Sequence, residues 1–196
     1  MNAQKITPLS PLLLRFYVRC FSYPYAELQY ELQHLFRVME NTDILPEESE
    51  QLEIILNIIN QYQGQDIKFL REDFVLTFTN AYPDQPYCPL LASDFLSRLN
   101  ITYDPEPLLD LFMESGLSVS ADESFDTIIN YLEYLSLLFE QYLAQEIDLI
   151  TVKEFANLHI LNWIPYFCNQ VEQVSNLALY KEVAIGLKQF LQGLAL

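Results

Sequence analysis

Few side chains in this 196-residue chain can serve as nucleophiles, metal ligands or proton carriers: two histidines, three cysteines, and 27 aspartates and glutamates. The histidines are His34 and His159. Glu31-Leu-Gln-His34 is a Glu-x-x-His, the spacing by which helical di-iron proteins set two ligands on one helix face. Such proteins need a second copy and two further glutamates, and here Ala156 stands three residues before His159. No metal and no cofactor are therefore expected, and His34 reads as an ordinary helix residue. A helical carboxylate-metal enzyme built on Glu31 and His34 is the least favoured alternative. Cys20, Cys88 and Cys168 are odd in number and form no Cys-x-x-Cys, which argues against a disulfide framework and for a reducing compartment. No base adjoins Cys88 or Cys168 in sequence to activate a thiolate, and only Arg19 adjoins Cys20. The chain has no P-loop, no GxGxxG and no GxSxG. The expectation is a protein without turnover.

The carboxylates are the informative group. Against 27 acids there are 10 Lys and Arg, for a formal net charge of -17. A nucleic-acid binder needs a cationic footprint, so that class is excluded. A disordered acidic tail is excluded as well, because 51% of the residues are hydrophobic and 14% aromatic. The excess is uneven. Between Arg98 and Lys153 there is no base, yet that stretch carries eleven acids, among them Asp126 and Glu133. Most read as a solvated face. Asp126 and Glu133 are seven positions apart, which on a helix puts them on one face. A carboxylate pair there would clamp a guanidinium, and complementary charge would steer a cationic peptide to it. Tyr82, Pro86 and Tyr87 sit in a proline-rich loop and fit partner recognition, while Phe74 and Phe78 lead into it.

The elements that must position these residues are helical. Only 4 glycines disfavour a hairpin-rich protein. Ser10-Pro11 predicts a helix start, and the apolar stripe runs to about Phe21. Further helices are expected over about 25–39, from Pro46 to Gly64, over 66–80, 90–99 and 105–115, with Gly116 as C-cap. The longest is expected from Asp122 to about Ala144. Thr151-Val-Lys-Glu154 reads as a capping box that starts a helix bearing Phe155, His159 and Trp163 on one face, with Pro165 bending or ending it. A last helix is expected over about 173–191. The reading is a single all-α domain, 1–196, of roughly nine helices. The apolar patch near Leu12 is interrupted by Arg15 and Arg19, too short and too charged for a signal or a membrane span, so a cytoplasmic place is expected.

Several motifs in order resemble those of the TorD/DmsD-type redox-enzyme maturation chaperones, the group that includes the NarJ-like proteins. Glu72-Asp-Phe74-Val-Leu76-Thr-Phe78 resembles the family's Glu-x-Tyr-x-x-Leu-Phe helix, and Gln85-Pro86-Tyr87 its Pro-Pro-Tyr loop. Ser124-Phe-Asp126-Thr127 stands where the family has Pro-x-Asp-His, and Glu133-Tyr134-Leu135 follows at the family spacing. Phe155, His159, Trp163, Pro165 and Phe167 resemble its Phe-x-x-x-His-x-x-x-Trp-x-Pro-x-Phe. Ser124 and Thr127 depart from the pattern. The resemblance implies an all-helical chaperone that binds the twin-arginine signal peptide, or the apoprotein, of a molybdenum-cofactor oxidoreductase before export. A NarJ-like assembly chaperone for a non-exported molybdoenzyme subunit is the alternative. The implied peptide contacts are Asp126, Glu133, Tyr134, Phe78, Tyr82, Pro86 and Tyr87. Phe74, Leu76, Phe155, His159, Trp163, Pro165 and Phe167 are expected to be structural. The family also implies a monomer or a helix-exchanged homodimer, for which 100–104 or 116–121 would serve as hinge.

Overall fold

Apolar residues recurring every three or four positions build a core from amphipathic helices. The computed structural model describes residues 5–79, 88–115 and 124–194. Tyr82, Pro86, Tyr87, Gly116 and the 116–121 hinge lie outside the described residues. Among those described there are ten α-helices: α1 (Leu9–Cys20), α2 (Leu28–Glu40), α3 (Ser49–Gln63), α4 (Ile67–Phe78), α5 (Ala92–Arg98), α6 (Glu106–Glu114), α7 (Ile128–Leu143), α8 (Leu149–Phe155), α9 (Ile164–Val174) and α10 (Ala178–Gly193). A short 3-10 turn, Pro46–Glu48, precedes α3, and a π-turn, Ala156–Ile160, continues α8. The all-α expectation holds. Among the described residues no helix is long and apolar enough to cross a membrane.

The helix α1 packs along α7, and α10 lies against both α9 and α3. Gly186 permits a close approach of α10 to α1 and α3: a Cβ there would lie 2.5 Å from Tyr17 Oη and 2.8 Å from Ile54 Cγ2. The α3 stop at Gly64 is as expected, and Asp66 caps α4 by accepting from the Lys68 N–H at 2.8 Å.

Three expectations need correction and a fourth is narrowed. Ser10 lies inside α1, which starts one residue earlier behind Pro8 with no side-chain cap; the Ser10 Oγ accepts from the Thr7 N–H at 3.1 Å and so ties down the segment before the helix. The helix expected from Asp122, a residue outside the described ones, starts at Ile128 and is as long as α10, at 16 residues each. Residues 126 and 127 are extended, with the Ala92 N–H donating to the Asp126 carbonyl and the Ile128 N–H to that of Leu90, both at 2.8 Å. Helix α7 starts only after this bridge, with Thr127 Oγ1 accepting from the Asn130 N–H at 3.2 Å. That cap explains what Thr127 does in its departure from the family pattern. Thr151 is no cap either: α8 begins at Leu149, after an extended Asp148. Lastly, the helix that carries Phe155 does not bend at Pro165 but ends before it, the other expected outcome, and Pro165 opens a new helix. A proline at a helix start loses nothing, because its missing N–H would have no partner there. The chain therefore breaks at Trp163, and ten helices stand where nine are expected.

Candidate functional site

A surface groove of about 450 Å3 runs between α1, α2 and α7. Val18, Leu35 and Leu137 supply its apolar lining; Arg15, Arg19, Glu133 and Glu140 supply its charges. A second groove of about 420 Å3 adjoins it, with Glu27, Tyr30, Glu31 and His34 along α2 and the preceding residue. Arg19 and Leu35 line both. Arg15 pairs with Glu140 at 2.5 Å, and Arg19 Nε with Glu31 Oε2 at 3.4 Å. Tyr25 Oη donates to that same Oε2 at 2.6 Å. Glu133 has no ion-pair partner among the described residues. Glu133 is an exposed residue, yet burial of part of its side chain in the groove raises the carboxyl pKa, and Arg19 and then Arg15 pull it partly back. An unpaired, partly desolvated carboxylate above an apolar floor is suited to a cation on an apolar chain.

Asp126 is placed differently. It is 5% exposed, and Oδ2 accepts from the Ser93 N–H at 2.9 Å. Leu91, at the start of α5, offers no side-chain cap, so Asp126 caps that helix from across the bridge. The structure does not bring Asp126 and Glu133 onto one face, because Asp126 precedes α7 and points into the protein. Asp126→Ala is expected to lower stability by about 1–3 kcal/mol, since it leaves a buried N–H unpaired. Asp126→Asn keeps an acceptor and should lose less. Thermal melts followed by circular dichroism check this; two unchanged melting temperatures would return Asp126 to a ligand-facing role.

A third groove, of about 450 Å3, lies beside α4 and is lined by Tyr23, Arg71, Glu72, Val75 and Leu76. Arg71 stacks over the Tyr23 ring at 5.6 Å and its Nε donates to the Pro24 carbonyl at 2.8 Å. Leu76, expected to be structural, is 44% exposed there.

The fold and these sites can be set beside known proteins. The sequence matches the nitrate reductase delta subunit family over residues 27–169, most of the chain. The chain belongs to the nitrate reductase delta subunit family. This is the NarJ- and TorD-type chaperone family. A crystal structure from Archaeoglobus fulgidus, of a protein described as a redox enzyme maturation protein, superposes with a TM-score of 0.64 at 20% identity, covering 98% of each chain. That likeness concerns the fold. No curated protein matches.

The family's aromatic motifs form one continuous chain of rings through the core. Phe74 meets Phe78 at 5.1 Å between centroids; Phe78 meets Phe167 at 6.2 Å; Phe167 meets Trp163 at 6.0 Å. Trp163 meets Tyr131 at 5.5 Å, Tyr131 meets His159 at 6.5 Å, His159 meets Phe155 at 5.1 Å and Phe155 meets Tyr134 at 4.7 Å. Phe78 and Tyr134 are therefore buried members of this chain and not walls of a groove, which departs from the peptide contacts expected of them. They face inward because each lies on the same stripe as its helix's core residues. His159 is half-buried; desolvation lowers its pKa, and its Nδ1 has no hydrogen-bond partner among the described residues. Glu31 and His34 share a groove but form no metal cluster: among the described residues no three His, Cys, Asp or Glu gather to hold an ion.

Sequence reasoning missed three buried polar anchors. Glu48 accepts from the Leu45 N–H at 2.8 Å and from the Thr7 hydroxyl, tying the chain before α1 to that before α3. Gln51 accepts from Tyr17 Oη at 3.2 Å. Asp73 accepts from Ser175 Oγ at 2.8 Å and from the Asn176 N–H at 3.2 Å. Only Asp73 carries a sequence signal, an acid beside Phe74 on the buried stripe of α4. Arg15 and Arg19 were missed as groove residues too, because they come from the far end of the chain.

Proposed function

We propose that this chaperone binds the arginine-bearing N-terminal leader of a molybdenum-cofactor oxidoreductase and holds the apoprotein until the cofactor is in place. The observation that carries this reading is Glu133, an unpaired carboxylate over the apolar floor of the α1–α2–α7 groove. A twin-arginine leader presents guanidinium groups followed by an apolar run, and the groove complements both. Family membership supports the client class. Binding needs no turnover and no cofactor held by the chaperone. We place it in the cytoplasm, where a leader is met before export, and read residues 1–196 as one domain. Tyr82, Pro86 and Tyr87 are retained as contacts for the apolar part of the leader.

A second reading has its own support. The matching family is that of a nitrate reductase subunit, which favours a NarJ-like role with a client that is not exported. Calorimetry with leader peptides separates the two: changing both arginines to Asp should abolish binding under the first reading and leave it intact under the second.

Glu133→Gln is expected to weaken binding of a twin-arginine peptide on the order of tenfold, the loss of one charge-assisted contact. Affinity in the wild-type protein should rise with pH as Glu133 ionises, and level off above its raised pKa. The effect on folding has the opposite sign. A carboxyl whose folded pKa is raised binds its proton more tightly when folded, so stability falls as pH rises from the unfolded value to the folded one. Glu133→Gln should therefore melt slightly higher than wild type at neutral pH while binding less. A variant that lost stability and kept its affinity would contradict the assignment.

A further inference from the structure

We propose that Arg19 is an internal stand-in for one arginine of the leader: in the free protein it occupies Glu31, and on binding it yields Glu31 to an incoming guanidinium while Glu133 takes the other. This deepens the leader-binding reading and rests on it.

The position of Arg19 is the first ground. It lines both grooves together with Leu35, with Glu133 in one and Glu31 in the other, so its side chain stands between two acidic sites. The looseness of its contact is the second. Arg15 meets Glu140 at 2.5 Å, whereas the Arg19 Nε stands 3.4 Å from Glu31 Oε2. Both side chains of that pair are nearly half exposed, at 45% and 44%. An exposed pair of this kind is held by a factor of only about 1.5 to 5 over its separated state. A leader arginine can present its planar fork to the same carboxylate with two parallel bonds, so the exchange replaces a single long contact by a better one.

Glu31 is prepared for the exchange. Tyr25 Oη donates to Oε2 at 2.6 Å, which keeps the carboxylate oriented after Arg19 has left. The substitution is guanidinium for guanidinium, so Glu31 need not shed water a second time. The arrangement also discriminates among leaders. A lysine offers no fork and cannot reproduce the bidentate geometry, and a leader with one arginine can satisfy Glu133 without displacing Arg19. Only a second arginine makes use of both acids.

The test is calorimetry of the full chain with a peptide carrying an arginine pair before an apolar run, at low and at high salt. Arg19→Gln should bind about three- to fivefold more tightly than wild type at low salt, with the gain shrinking at high salt. Arg19→Lys retains the competing charge and should stay near wild type. Glu31→Gln should bind more weakly, and combining it with Arg19→Gln should remove the gain. Arg19 is on the surface, and a melt of each variant confirms that it folds. If wild type binds and Arg19→Gln binds equally or less well, the stand-in role is wrong and the leader reading survives. If none of the proteins binds the peptide, the leader reading falls and the exchange falls with it.

Discussion

Trp163→Ala is expected to cost about 3–5 kcal/mol, the range for truncating a large buried aromatic. Trp163 is 1% exposed and sits where α8 and its π-turn end and α9 begins. Its ring touches Phe95, Tyr131 and Phe167 at centroid separations of 6.0, 5.5 and 6.0 Å. The indole N–H donates to the His159 carbonyl at 2.8 Å, a group in the last turn before the break. Alanine would leave a cavity in the middle of the ring chain and strip that carbonyl of its donor. Folded proteins keep only about 5–15 kcal/mol in all, so the loss takes a large share. For a chain of this size it corresponds to a melting temperature lower by on the order of 10 °C. Urea unfolding followed by tryptophan-independent far-UV circular dichroism measures it. Trp163→Phe fills most of the space and should recover part of the loss but not the indole hydrogen bond. A drop below about 1 kcal/mol for the alanine variant would mean that the surrounding rings collapse into the gap.

Asp73→Ala is expected to cost roughly 2–4 kcal/mol, from two hydrogen bonds to a buried carboxylate. Asp73 lies on α4, and both its acceptors serve the turn between α9 and α10, about a hundred residues on. One bond comes from Ser175 Oγ and the other from the Asn176 N–H. Ser175 Oγ can turn to the Leu177 carbonyl, which already lies 3.2 Å away. The Asn176 N–H loses its acceptor, so the turn that starts α10 loosens. The negative charge at that helix start is lost as well, and with it a favourable interaction with the helix dipole. Asp73→Asn keeps the oxygen that accepts from Asn176 and should cost less than half as much. Amide exchange at the start of α10 reports the local effect: protection should fall there first in Asp73→Ala. Unchanged protection would show that packing of α10 against α9 and α3 holds the turn without Asp73.

Much of the fold was legible because the buried stripe of each helix repeats at the helical period. Leu132, Leu135 and Phe139 on α7 and Val183, Leu187 and Leu191 on α10 face inward by that rule alone. Gly64 and Asp66 mark the end of one helix and the start of the next through local chemistry that needs no distant partner. Two helix starts were not legible, one set by backbone conformation that no side-chain pattern marks and one by a distant partner. Thr151-x-x-Glu154 satisfies the capping-box spacing, yet α8 starts two residues earlier, because the extended backbone at Asp148 sets the first turn. The spacing of Asp126 and Glu133 suggested one face of one helix. The bridge between Leu91 and Thr127 pulls Asp126 out of α7 and into the cap of α5.

The acid excess shows most plainly where sequence and tertiary structure divide the work. Sequence alone determined the helical class, the family, the absence of a cationic nucleic-acid footprint, and the location of eleven acids in a run without a base. These follow from composition, periodicity and order along the chain, which are local or additive. Tertiary structure decided which acids are available. Glu133 stands over an apolar groove without an ion pair, Asp126 is consumed in a buried cap, and Glu140 and Glu31 are met by Arg15 and Arg19 from α1. A carboxylate is free or engaged according to what the packing of other helices brings within hydrogen-bonding distance. Distance in space is set by the whole core, so a run of sequence without bases became a surface that supplies bases of its own.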